Sequence, residues 1–150
     1  TRYRLMAVAQ GMNFGQWLEC HDELVTYQEI DTIGIPKVTS TFPDLIQGRY
    51  DLCAKLNTGN LYSPDKEYHL LGVWANPYPE ISGIAAYPWV RGVDTVLPVL
   101  MGTLGVAFHP IDGLMVERPK MAVDFYNSYD PFPTVVEHNI FQMLKWGNRM

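Results

Sequence analysis

Glycine and proline punctuate this chain from end to end, and they keep every element short. Twelve glycines and 11 prolines are spread through 150 residues rather than gathered in one tract. Proline removes a backbone donor and blocks the interior of a helix, while glycine favours turns and helix ends. Even the longest apolar stretch, residues 96–108, is cut by Pro98, Gly102 and Gly105. A membrane helix needs roughly 20 apolar residues in succession, so none is expected. What remains is a succession of short strands and helices separated by polar loops.

Composition decides what such a succession can become. Hydrophobic residues make up 47% and charged residues 18%. That is enough apolar material for a core and too little charge for a disordered chain. The length fits one ordinary domain, so residues 1–150 are expected to form a single soluble α/β unit. The formal net charge is −5, and no cluster of lysines and arginines occurs. A basic footprint for nucleic acid is therefore absent. Cys20 and Cys53 carry no CxxC spacing. Two free thiols are expected, with a disulfide left open.

Along the chain, residues 3–9 (YRLMAVA) read as a buried strand and residues 14–27 as a helix. Asn13 stands as its N-cap, since a side-chain oxygen there can accept an amide of the first turn. Residues 32–40 (TIGIPKVTS) read as extended, and residues 42–48 (FPDLIQG) as a short helix closed by Gly48. Further strands are expected at residues 50–56 (YDLCAKL), 68–75 (YHLLGVWA), 81–87 (ISGIAAY) and 103–108 (TLGVAF). Residues 57–65 read as a loop and residues 89–101 as helix or loop. Residues 116–126 read as helical, 130–133 as a stop, and 135–146 as a closing helix stopped by Gly147. The expected class is α/β, a mostly parallel sheet flanked by helices.

The residues that could carry chemistry are scattered. His21, Asp22 and Glu23 set a base beside two carboxylates, but sequence neighbours on a helix point apart, so a solvated face is expected. His109 and Asp112 follow an expected strand, where open α/β sheets tend to place their sites. With Glu117 they are the catalytic candidates if the chain is an enzyme. Glu80, Asp94, Asp112 and Glu117 supply carboxylates without a favoured pair. No GxSxG, GxGxxG or P-loop motif occurs, and no metal or cofactor site is expected. Gly11, Met12 and Asn13 open the first helix, where free amides and the positive dipole end could hold an anion.

One stretch carries a family likeness. Residues 41–54 (TFPDLIQGRYDLCA) resemble the helix-then-strand segment of type 2 periplasmic binding proteins. Residues 68–74, 81–87, 92–96 (GVDTV) and 102–107 (GTLGVA) follow in a similar order and spacing. The likeness is to the receptors of TRAP-type transporters and to thiamine-precursor binders. It departs at residues 97–101, which are apolar where the family carries an acidic and lysine-rich turn. The resemblance implies a periplasmic or extracytoplasmic protein that binds a small polar or anionic solute in a cleft. It also implies a membrane transporter as partner, and a chain here that is one lobe, or part, of a two-lobed protein. Carried over, the ligand contacts are Gly11, Met12, Asn13, Thr39, Ser40, Thr41, Asn57, Thr58 and Tyr87. Trp74, Tyr78 or Trp89 would stack on the solute. Two other readings stand beside it: a lyase, decarboxylase or other small α/β enzyme, and an accessory subunit of a larger complex.

Overall fold

A computed structural model describes residues 3–74, 76–113 and 133–149. The elements run β1 (Leu5–Val8), α1 (Phe14–Leu24), β2 (Ile30–Pro36), α2 (Arg49–Thr58), β3 (Glu67–Leu71), α3 (Tyr78–Ile84), β4 (Val90–Asp94), α4 (Leu97–Thr103) and α5 (Pro133–Trp146). The class is α/β. All four strands are parallel and lie in the order β1-β2-β3-β4. That order follows the sequence and contains no reversal of the kind that marks the ligand crevice of a doubly wound sheet. The chain divides into two compact units, Thr1–Val73 with Ala86–Asp94, and Trp74–Ala85 with Thr95–Met150. Among the described residues no helix is long and apolar enough to cross a membrane.

The first unit holds the sheet. Ile33 and Ile35 of β2 are in register with Tyr68 and Leu70 of β3, and these four side chains are buried on one face. Helix α1 docks there through Trp17 and His21, both fully buried. Their four-residue spacing puts them on one helical stripe. Helix α2 docks through Leu52, Cys53 and Leu56. The opposite face carries Met6, Thr32, Glu67, His69, Leu71 and Asp94, all partly or fully exposed.

A continuous stack of rings crosses this unit: Phe14, Trp17, His21, Tyr68 and Trp89, with Tyr62 and Tyr87 on Trp89. Its polar centre is satisfied. Tyr68 Oη lies 2.8 Å from His21 Nε2 and accepts from the Ser63 amide at 2.8 Å. His21 Nδ1 lies 2.9 Å from Asp22 Oδ1. These partners assign a neutral ring that donates from Nδ1 to the carboxylate and accepts from Tyr68 at Nε2. His21 was expected on a solvated face. It is wholly buried, because the Trp17 and His21 pair forms the apolar stripe of α1.

The second unit is built on α5. Asn139, fully buried, accepts from the Phe108 amide at 2.7 Å and donates to Val106 O at 3.0 Å and Pro98 O at 3.3 Å. His138 Nε2 lies 3.0 Å from Phe108 O. Trp146 packs against Phe108 and Tyr78 and donates to Pro110 O at 2.8 Å.

Several expected elements differ. Residues 50–56 form helix α2 rather than a strand: Leu52, Cys53 and Leu56 share one helical face, and strict alternation would have buried Tyr50 instead. Residues 81–87 belong largely to α3, where Ile81 and Ile84 are buried three apart. Residues 103–108 are not a strand. Gly105 turns the chain at φ +70°, and the side chains of α5 take the backbone groups a ladder would have used. Residues 42–48 make turns rather than a helix, after a 3-10 turn over Lys37–Thr41. Residues 89–101 resolve into β4 and α4. The left-handed residue that ends α5 is Asn148, one past Gly147. Residues 116–126 lie outside the described residues.

Burial sets the pH range of the fold. Desolvation pulls the His21 pKa below its ordinary 6.5, and Asp22 offsets this only in part. Burial pushes the Tyr68 hydroxyl from 10.0 up to about 12. Below about pH 6.5 the unfolded chain binds the His21 proton first, so stability falls as pH drops. Above pH 10 the unfolded Tyr68 ionises first, so stability falls as pH rises toward about 12. Tyr68→Phe should remove the alkaline loss due to this group. It should also cost about 1–3 kcal/mol at neutral pH, since Ser63 N–H and His21 Nε2 lose their partner. Urea unfolding between pH 5 and 11 reads both effects, and an unchanged alkaline slope in Tyr68→Phe would contradict the assignment.

Candidate functional site

Parallel strands leave unpaired carbonyls and amides at their carboxyl ends, and sheets of this type use that edge for ligands. Three neighbouring strands converge there on a small polar rim. Lys37 follows the last residue of β2, Gly72 follows the last residue of β3, and Asp94 ends β4. Gly72 has φ +68°, the left-handed region that glycine adopts without steric cost. Its Cα faces the stem of Lys37, with Cβ and Cδ of that lysine within 3.9 Å of the position a methyl group would occupy. The Gly72 amide donates to Asp94 Oδ1 at 2.7 Å, and His69 Nε2 lies 3.8 Å from the same oxygen. The Asp94 side chain is 63% exposed, and that of His69 is 28% exposed. One carboxylate oxygen is thus anchored to the frame at a solvent-facing strand end.

Beneath the rim lies Arg49, 1% exposed. Its Nη1 donates to Ile35 O at 3.2 Å and to Leu71 O at 3.0 Å, and its Nη2 donates to Gly72 O at 2.6 Å. The guanidinium therefore joins the carboxyl ends of β2 and β3. Gly48 delivers it: its φ of +57° starts α2 tight against Ser40, whose Cα lies 3.0 Å from where a Cβ would sit.

The ligand contacts expected from sequence divide between the two edges of the sheet. Gly11, Met12 and Asn13 follow β1, and Thr39, Ser40 and Thr41 follow β2, so these six lie at the carboxyl edge. Asn57 and Thr58 end α2, and Asn57 Oδ1 accepts from the indole of Trp89 at 3.2 Å. Trp89 and Tyr87 precede β4, so this second group lies at the opposite edge. The two groups do not converge. The cause is α2: its residues run back from the carboxyl edge, and a strand in its place would have ended at that edge. Trp89 itself is buried among Tyr62, Tyr68 and Tyr87.

At the start of α1 the amides of Met12, Phe14 and Gln16 already have partners. The Asn13 side chain accepts from Gln16 N at 2.9 Å, and Gln16 Oε1 accepts from Met12 N at 3.0 Å. The Phe14 amide donates to both oxygens of Asp44, at 3.1 and 3.0 Å. The anion at this helix end is the protein's own carboxylate. Gly11 packs against the backbone of Trp17. Thr39 and Thr41 turn their hydroxyls onto Pro36 O and Val38 O, while Ser40 Oγ is buried with no hydrogen-bond partner among the described residues.

In the second unit His109 and Asp112 do meet, with Nδ1 3.1 Å from Oδ2. The same Nδ1 lies 3.4 Å from the Ile111 amide and 3.2 Å from the Asp112 amide. Two amides ask it to accept and one carboxylate asks it to donate, so the pair closes a surface turn whichever tautomer it holds. Both side chains are about half exposed. Glu117 lies outside the described residues. Among the described residues no three His, Cys, Asp or Glu side chains gather to hold a metal ion. Cys20 and Cys53 are not joined in a disulfide.

No protein-family model, no curated protein and no solved structure matches this chain. The rim around Asp94 was missed in the sequence because β4 was not assigned. With that strand in place, the rule that sites follow parallel strands points to Lys37, Gly72 and Asp94 together.

Asp44→Ala should lower stability by about 1 kcal/mol in chemical denaturation, because α1 loses the carboxylate at its first turn. Asp44→Asn should recover part of this through its remaining carbonyl oxygen. Equal stability of all three chains would contradict the capping role.

Proposed function

We propose that this protein binds a small polar solute at the carboxyl rim of its parallel sheet, with Asp94 as the principal contact. The observation that carries the reading is the state of that carboxylate: Oδ1 is tied to the Gly72 amide at 2.7 Å, while the side chain stays 63% exposed at a strand end. An anchored, solvent-facing carboxylate is pre-organised to accept from a ligand, which lowers the entropic cost of binding. The solute it suits carries N–H or O–H donors and is neutral or cationic. Anionic solutes are disfavoured at the start of α1, since the Met12 and Phe14 amides there are engaged by Gln16 and Asp44. The reading keeps the solute-binding half of the sequence expectation and rests on the rim rather than on the family likeness.

A second reading, an enzyme at the same rim, is favoured by one observation. His69 Nε2 lies 3.8 Å from Asp94 Oδ1, so an imidazole and a carboxylate stand together where proton transfer could be arranged. His69→Asn would then abolish turnover yet leave solute binding in place.

The test is a thermal-shift panel of small amides, amines, polyols, amino acids and carboxylates. A solute at 100 times its Kd stabilises the fold by about 2.7 kcal/mol. Donor-bearing solutes should raise the melting temperature of the wild type and leave Asp94→Ala unmoved. A flat response across the panel, or one that Asp94→Ala retains, would overturn the proposal.

A further inference from the structure

The buried guanidinium of Arg49 has a role that its burial alone does not account for. A cation fully removed from water is costly unless its hydrogen bonds are met. Arg49 meets them in part with three main-chain carbonyls at the ends of two strands. Two of the three flank one residue, Gly72. Leu71 O accepts from Nη1 at 3.0 Å and Gly72 O accepts from Nη2 at 2.6 Å. The two carbonyls turn toward one guanidinium where Gly72 holds φ +68°.

The peptide between Leu71 and Gly72 then matters. Its carbonyl end is held by Arg49, and its amide end donates to Asp94 Oδ1 at 2.7 Å. The peptide unit is planar and rigid, so fixing its oxygen fixes the direction of its N–H. Hydrogen bonding at the carbonyl also polarises the amide and strengthens it as a donor. Arg49 is therefore linked to Asp94 through one peptide plane.

We infer that Arg49 is a positioning residue for the Asp94 carboxylate, acting through the Leu71–Gly72 peptide, and that it leaves Asp94 Oδ2 directed to the donor of a neutral or cationic solute. The inference rests on the reading of Asp94 as the solute contact. Its physical core, the relay from guanidinium to peptide to carboxylate, is measurable without any ligand. A planar fork spans two carbonyls, whereas an ammonium is a point donor. Arg49→Lys should therefore keep the charge and only part of the alignment.

The experiment is amide NMR on the 150-residue chain. In the wild type, through-hydrogen-bond couplings should connect Arg49 Nη to the carbonyl carbons of Leu71 and Gly72. The Gly72 amide proton should lie downfield and move upfield in Asp94→Asn. In Arg49→Met the Gly72 amide should lose at least tenfold of its exchange protection, with Arg49→Lys intermediate. The mid-strand amides of Ile33 and Leu70 should change by less than twofold. Loss of protection at Ile33 and Leu70 equal to that at Gly72 would make Arg49 a general structural residue and overturn the inference. So would a Gly72 amide that responds to Asp94→Asn and ignores both Arg49 variants. If Arg49→Met does not fold, Arg49→Lys and the wild-type couplings decide, and absent couplings overturn the relay. A relay that is present in a chain no solute stabilises would leave this positioning in place and remove the solute-binding reading instead.

Discussion

A parallel sheet ends in a row of backbone groups that have no ladder partner, and this fold depends on how that row is satisfied. At β2 and β3 the answer is a single buried guanidinium that takes Ile35 O, Leu71 O and Gly72 O together. Without it, three carbonyls would be left beside a core that admits little water. Gly48 makes the arrangement possible by starting α2 tight against Ser40, and Gly72 makes it productive by turning two carbonyls inward. The same turn points an amide outward to Asp94. Stability and the candidate site thus share one set of atoms.

The other end of the sheet is governed by a different constraint. There the rings of Trp17, His21, Tyr68 and Trp89 fill the space between helices and sheet. Asp22, Ser63 and Asn57 partner the polar atoms of His21, Tyr68 and Trp89, with Asp22 reaching His21 from the surface, while Trp17 Nε1 has no hydrogen-bond partner among the described residues. This end carries buried titratable groups whose hydrogen bonds are internal. The carboxyl edge carries a titratable group that faces solvent. The contrast separates a structural network from a candidate binding rim, although both contain a histidine beside a carboxylate.

Much of the fold was legible from spacing. The apolar run at residues 3–9, the helical pattern after Asn13 and the closing helix before Gly147 correspond to β1, α1 and α5. The α/β class followed from them. Residues 50–56 misled because a seven-residue segment whose apolar positions are broken only by Asp51 and Lys55 fits two periods, and only the buried set of Leu52, Cys53 and Leu56 separates them. Residues 90–94 were missed because Gly92 sits mid-strand, where a glycine reads as a turn. In the fold that glycine lies against the His69 ring, which leaves no room for a larger residue. Losing β4 hid Asp94, and placing α2 as a strand moved Asn57 and Thr58 to the wrong edge. Arg49 gave no signal of its own, since the partners that define it are main-chain carbonyls distant in sequence.

The central claim is that the rim formed by Lys37, Gly72 and Asp94 receives a donor-bearing solute. It is tested most directly by mapping amide and carboxyl NMR shifts while small amides and amines are added one at a time. The account predicts perturbations concentrated at Lys37, Gly72 and Asp94, with Gly11 to Asn13 and Asn57 unmoved. Perturbations centred on Asn57 and Tyr87, or on the His109 turn, with the Asp94 carboxyl unchanged, would contradict it.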